Sequence, residues 1–365
     1  MTKAAELANL IGNINMGGGG VNRNVVINGA MNVAQRGTSS TGIGNENKFV
    51  VDRFFTSQLN SDGRFTMSQD SSAPSGFANS LKLDCTTADT SIASGEILTL
   101  EHKIEGQNLQ AFAKGTSDAK PFAVSFYVKG NASATYVCEL FDEDNSRQCS
   151  KLFNVTTDWT RVELSFPADT TGAFDDDNAA SLFLTIWLHA GSTYTSGTLN
   201  SSSWASFTNA NRAVGISSFF DSTDRTFFLT GVQLEVGQNP TEFEHEPFER
   251  TLAKARRYFY REVDDDSVIF SWVGFCDNTT QAYIQHPHPV EMRAEPSLTT
   301  TGTAGDYSLR IKASTVGLNQ VPTLSSSNRR VGHVLWQCAS GLTAGDAIVG
   351  KFDAADVFLD WSAEL

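Results

Sequence analysis

Alternation of apolar and polar residues with a period of two, repeated in segment after segment, restricts what this chain can fold into. Leu98, Leu100, His102 and Ile104 alternate with Thr99, Glu101 and Lys103. Phe122, Val124, Phe126 and Val128 alternate with Ala123, Ser125 and Tyr127, and Val162, Leu164 and Phe166 with Arg161, Glu163 and Ser165. Such a period puts successive side chains on opposite faces, so each segment is a strand with one buried face. Further strands are expected over 64–69, 80–86, 135–141, 182–188 and 225–236, joined by turns rich in Ser, Thr, Asn and Gly. With no amphipathic helices between them, the strands predict an all-β fold, an antiparallel two-sheet sandwich of jelly-roll type.

The first element breaks this pattern. Leu7, Leu10, Ile11 and Ile14 follow helical spacing over 2–14, with Thr2 as a cap and Glu6 in the first turn. So short a helix needs a partner surface for its stripe, and the four glycines at 17–20 act as a joint behind it. A phosphate loop would need a preceding strand and a following Lys-Ser/Thr, which are missing, so 1–20 reads as a docking helix and hinge. No apolar leader and no long apolar run occur, so neither a cleaved signal nor a membrane span is expected.

Pro240 and Pro247 end the sandwich, assigned to 21–247. A linker helix is expected over 248–262, its pattern running from Glu249 to Tyr260. Leu252, Ala255 and Phe259 share one face as candidate contacts between copies, and the arginines pair with Glu242, Glu244, Glu246 and Glu249. Residues 263–365 form a second, smaller β-sandwich, with strands over 268–275, 281–285, 297–300, 309–313, 331–337, 347–351 and 357–361.

A net charge of −14 lacks the basic face that nucleic acid or an anionic membrane requires. The cysteines, Cys85, Cys138, Cys149, Cys276 and Cys338, are scattered, odd in number and without a Cys-x-x-Cys pair. They read as buried thiols in a reducing compartment.

Candidate chemistry is sparse. His286 and His288 share a face if extended, but two ligands do not close a zinc site, and the segment reads as a loop. The acidic groups 142–145, 175–177 and 264–266 lack EF-hand spacing and read as solvated turns, and no cofactor is expected. No nucleophile motif occurs, so an enzyme is not expected; a carboxylate pair of a polysaccharide depolymerase is the alternative, since such a pair has no fixed spacing. The connection 189–212 is too long for a turn and is either a functional loop or an arm packed on a neighbour. Its Tyr194 and Trp204 are the candidate glycan contacts, with Trp159 and Trp272 as further candidates; the plain reading of each ring is a place in the core.

Several phrases carry a resemblance. They are Leu229-Thr-Gly-Val-Gln-Leu-Glu-Val-Gly237, Pro240-Thr-Glu-Phe-Glu-His-Glu-Pro-Phe248 and Ala255-Arg-Arg-Tyr-Phe-Tyr-Arg261, with Asn28-Gly-Ala-Met-Asn-Val-Ala-Gln-Arg-Gly37, Val51-Asp-Arg-Phe54 and Pro289-Val-Glu-Met-Arg-Ala-Glu-Pro296. Together they resemble the tail-fibre and related virion proteins of tailed bacteriophages. The resemblance implies an N-terminal segment that docks on other virion proteins, a jelly roll similar to carbohydrate-binding modules, a linker helix, a distal β domain, and assembly as a homotrimer. It implies a virion location and a role in recognising a host-surface glycan or protein receptor. A non-binding adaptor or capsid decoration is the narrower alternative.

Overall fold

The computed structural model describes residues 2–15, 22–263 and 270–365. The expected glycine joint at 17–20 and the acidic group 264–266 lie outside them. The chain divides into two compact units, Met1–Thr251 with Leu365, and Leu252–Glu364.

The larger unit is an antiparallel sandwich. One sheet runs in the order Ser39–Ile43, Arg64–Asp70, Ser80–Thr87, Thr226–Val236, Phe122–Gly130, Thr160–Phe166. The other runs Ala205–Ser206, Arg147–Val155, Ala134–Asp142, Ala180–Ala190, Ile97–Glu105, Phe55–Leu59, Asn47–Phe49. Non-sequential neighbours in both sheets reflect long crossovers between them. The apolar halves of the alternating segments meet between the sheets, where Phe65, Leu83, Phe126, Leu100, Leu140 and Leu184 are all at most 1% exposed. His102 shares this inward face. It is enclosed 4.8 Å from the Phe54 ring, and Ile27 N–H donates to its Nε2 at 3.3 Å. Burial, helped by the Arg53 charge, holds the imidazole well below its ordinary range, so it stays neutral.

Thr226–Val236 lies between two strands and is buried along nearly its whole length. Its register shifts between Thr230 and Gln233, where Gly231 takes φ 64°, and a Cβ there would sit 2.8 Å from the Phe77 ring. Only glycine fits this bulge. Beyond the strand the chain forms a clasp. The Glu235 carboxylate accepts from Thr241 N at 2.6 Å and Thr241 Oγ1 at 2.8 Å. Glu244 accepts three backbone N–H groups, from Asn22, Arg23 and Asn24, at 2.6, 2.8 and 3.0 Å. The phrase from 229 to 246 therefore ties the start of the sandwich to its last strand.

The smaller unit pairs a seven-stranded sheet, in the order Ser314–Gly317, Tyr307–Ile311, Ala347–Phe352, Phe270–Cys276, Gln281–Pro287, Val331–Gln337, Thr323–Ser327, with the three strands Phe259–Val263, Phe358–Ser362 and Ser297–Thr300. Trp336, Trp361, Tyr307 and Ile284 centre its own core.

Three expectations change. The helix covers only Phe248–Arg256, and Phe259–Val263 is a strand, because it pairs residue for residue with Phe358–Ser362. Phe259 is 3% and Ala255 0% exposed, so both are used within the chain; Leu252 is half-buried. His286 lies in a strand rather than a loop. It continues the inward positions of Ala282 and Ile284, is 1% exposed, and has Nδ1 2.9 Å from Glu262 Oε2. His288, 9% exposed, packs edge-on against Trp361 at 4.8 Å. Among the described residues no group of three His, Cys, Asp or Glu could hold a metal ion.

Candidate functional site

Strand register alone assembles a site on the outer face of the sandwich's seven-stranded sheet. Phe55, Glu101, Thr185, Glu139 and Ser150 stand opposite one another across five strands. The next row holds Lys103, Phe183, Phe141 and Gln148; the row on the other side holds Ser57, Thr99, Trp187 and Val137. Cross-strand partners share a face, so these side chains all point away from the core.

The long connection after Ala190 settles onto one end of this face. Ala213 and Tyr194 pack against Val137 and Trp187, and Ala205–Ser206 adds a short edge strand. Of the two readings of this connection, a functional loop or an arm on a neighbour, the packing here is on its own chain. Arg212 locks it down: Nε donates to Glu139 Oε1 at 3.0 Å and Nη2 to Oε2 at 2.7 Å, while Trp187 Nε1 donates to the same Oε2 at 2.9 Å. The guanidinium lies 4.7 Å from the Trp187 ring, 4.9 Å from Phe207 and 5.3 Å from Phe141. Glu139 is fully buried, and a bidentate arginine with an indole donor satisfies it there.

What remains open is an aromatic patch, the groove-forming rings beside the clamp. Phe141 and Phe183 are half-buried and Phe207 is 38% exposed, their rings 5.1 to 5.8 Å from one another through Phe141. Lys103 Nζ sits over Phe183 at 4.8 Å and Phe55 at 5.3 Å. Glu101, partly exposed, accepts from Thr99 Oγ1 at 2.7 Å. Burial lifts its carboxyl above the usual range, and Glu139 adds to the rise; Thr99, Lys103 and Arg212 oppose it. Aromatic faces beside a carboxyl and an ammonium suit a sugar ring, whose C–H face stacks while its hydroxyls take hydrogen bonds. Glu101 and Glu139 flank Thr185; Glu139 is sealed under Arg212, and Glu101 is the carboxyl of this row that keeps partial exposure.

Two other polar clusters serve the scaffold. His189 bridges Glu96 Oε2 at 2.9 Å and Ser218 Oγ at 2.7 Å, a serine–histidine–carboxylate line in which Ser218 Oγ also accepts Phe220 N–H at 3.0 Å as a turn cap. His189 is fully buried, so the line acts as a latch holding the connection. Lys114 Nζ, also enclosed, is 2.5 Å from Asp142 Oδ2 and 3.2 Å from Asp169 Oδ2, and donates to Thr171 O at 2.9 Å and Gly172 O at 2.8 Å. The 142–145 group is thus part of a lysine-centred cage rather than a wholly solvated turn.

The sequence candidates fall elsewhere. Trp204 is 6% exposed, its ring 5.4 Å from Phe122 and its Nε1 bonded to Pro167 O at 2.8 Å; it belongs to the core and offers no platform. Tyr194 is half-buried 5.3 Å from Trp187, packing the connection down. Trp159 rests edge-on against Phe228 at 6.0 Å, and Trp272, 46% exposed, belongs to the smaller unit. On the N-terminal helix Lys3–Asn15, Leu7 and Ile11 are 57% and 49% exposed. Leu7 and Leu10 border an open cavity of about 330 Å³ with Arg23, Thr241 and Glu242; the Ile14 side chain lies outside the described residues. The groove residues Glu101, Phe141 and Phe183 carried one signal in the sequence, their place in the outward slots of strands, and that signal does not separate a site from a solvated face.

No family model matches the sequence, and no curated protein matches it. Among solved structures, one described as "CBM4 structure and function" is 9% identical, covers 58% of this chain and 99% of its own, and has a TM-score of 0.30. The family 11 carbohydrate-binding module from Clostridium thermocellum, in complex with a β-1,3-1,4-mixed-linked tetrasaccharide, is 10% identical over 57% of this chain and 99% of its own, with a TM-score of 0.27. The enzymatically active domain of tailspike protein 4 from bacteriophage CBA120 is 12% identical over 58% of this chain and 21% of its own, with a TM-score of 0.31. Likenesses this low carry no argument about a ligand.

Proposed function

We propose that this chain is a virion structural protein, a tail fibre of a tailed bacteriophage. In this reading it docks on other virion proteins through Leu7, Leu10, Ile11 and Ile14, assembles with copies of itself, and contributes to adsorption by binding a host-surface glycan. The virion role is supported by the phrases quoted above. Glycan binding is supported by one observation: the half-open rings of Phe141, Phe183 and Phe207 stand beside Glu101 and Lys103 on the outer sheet face. A groove of this kind binds by stacking and hydrogen bonding without chemistry, so the protein is read as an adhesin rather than a depolymerase.

Immunogold labelling of phage particles and adsorption of labelled protein to host cells test this together. Label on tails with saturable adsorption is the expected result. Label on particles without adsorption selects an adaptor or decoration protein. New reducing ends released from envelope polysaccharide overturn the non-enzymatic reading.

A further inference from the structure

The seven-stranded sheet of the smaller unit departs from the pattern that governs the sandwich. An antiparallel sheet with one face on its core carries polar residues on the other. Here the inward face holds Cys276, Ala282, Ile284, Val334 and Trp336, all at most 1% exposed. The outward face is apolar as well. Val273 is 70% and Phe275 48% exposed, and Tyr283, Leu335 and Val349 are partly so. Register places Phe275, Tyr283 and Leu335 in one row and Val273 opposite Val349. Trp272, 46% exposed, sits where the register shifts between Phe270 and Val273. Tyr283 is stacked on His333 at 4.8 Å, which holds the middle of the face flat.

We propose that this face is covered by a second copy of this chain. Single exposed apolar residues are ordinary, whereas a contiguous patch across neighbouring strands marks a contact surface. Charge selects the partner. With 41 acidic residues and a net charge of −14, two copies repel at long range and can meet only where neither presents carboxylates. Among the described residues the outward positions of Phe270–Cys276, Gln281–Pro287 and Val331–Gln337 carry none: they are Trp272, Val273, Phe275, Gln281, Tyr283, Gln285, Pro287, Val331, His333, Leu335 and Gln337. Size agrees. At about 150–250 Å² for a whole aromatic side chain, Trp272, Phe275 and Tyr283 with the three aliphatic residues offer on the order of 400 Å². That is about half of the ~800 Å² each partner gives a standard interface, and it fits the apolar centre of one, with Gln285, Gln337 and Thr323 as its rim. The inference stands independently of the glycan groove.

The test measures the mass of the full chain by light scattering and sedimentation across the micromolar range, for the native protein and for Val273→Glu/Phe275→Glu. Both positions are open, so the variant should melt with the native protein, while carboxylates facing carboxylates should raise the self-dissociation constant about a hundredfold. Ser314→Glu, on an exposed edge strand, should leave the mass unchanged. Should the double variant fail to fold, Val273→Cys gives an independent readout: all five native cysteines are buried, so a short bis-maleimide should link copies through residue 273. A native protein that stays monomeric overturns the proposal, as does an oligomer untouched by the double variant or an absence of cross-linking at 273. A monomer whose glycan binding is lost with the double variant overturns it in favour of a sugar platform.

Discussion

Replacing Lys114 by methionine probes a fully enclosed cluster of charges in the sandwich. The lysine side chain and Asp142 are 0% exposed and Asp169 is 5% exposed, and the ammonium meets both carboxylates and two carbonyls. Without it Asp169 keeps Arg147 at 2.7 Å, but Asp142 is left with Asn145 as its remaining donor. Removing one partner of a buried pair costs about 3–5 kcal/mol. At about 2–4 °C per kcal/mol for a unit of this size, the melting temperature of Lys114→Met should fall by about 6–20 °C. The pH dependence gives a sharper reading. Burial already lifts the Asp142 carboxyl against the pull of Lys114, and the variant lifts it further. A carboxyl whose folded-state affinity for protons exceeds its unfolded one contributes stability below its unfolded pKa, which is lost as pH rises through the folded value. The deficit should therefore be smaller at about pH 5 than at about pH 8 in calorimetry of both proteins. A loss below about 2 °C, or a deficit that grows on acidification, refutes the cage.

Three further outcomes follow from the scaffold. Burial, with His286 adding to it against the pull of Glu262, holds His288 down at about 4. Relative to an unfolded value near 6.5, the smaller unit keeps this contribution above about pH 6.5 and loses it, on the order of 1–3 kcal/mol after solvent screening, as pH falls through about 4. Hydrogen exchange of residues 252–364 should show that loss, and His288→Gln should flatten it. Glu244→Ala leaves three backbone donors without their carboxylate, a local cost of about 1–3 kcal/mol, so limited proteolysis near residues 22–24 should quicken about tenfold. Gly231→Ala forces a side chain into a left-handed bulge against Phe77 and should lower denaturant stability by about 1–3 kcal/mol; an unchanged midpoint would mean that the bulge relaxes freely.

The period-two segments were legible because burial on one face writes itself directly into alternation, as in Ile97–Glu105 and Phe122–Gly130. Arg147–Val155 was missed because Cys149, Ser150 and Gln148 are all fully buried and blur the alternation. The residues after Arg256 read as helix because Phe259 also falls on a helical spacing from Leu252 and Ala255; pairing with Phe358–Ser362, about a hundred residues away, decides for strand. Trp204 stands as a glycan candidate only because it lies in a Ser- and Asn-rich stretch; the fold turns it onto Phe122, the core place that is the plain reading of such a ring. The groove was legible only as outward slots. What turns those slots into a site is Arg212 closing on Glu139, a contact spanning 73 residues that no local pattern announces.

Calorimetric titration of the full chain with host envelope oligosaccharides tests most directly the proposed binding of sugar on the outer face of the sandwich. The account predicts saturable binding that weakens at least tenfold, about 1.4 kcal/mol, in Phe141→Ala/Phe183→Ala and is unchanged in Trp272→Ser. Absence of binding, or binding indifferent to the loss of both groove rings, would contradict it.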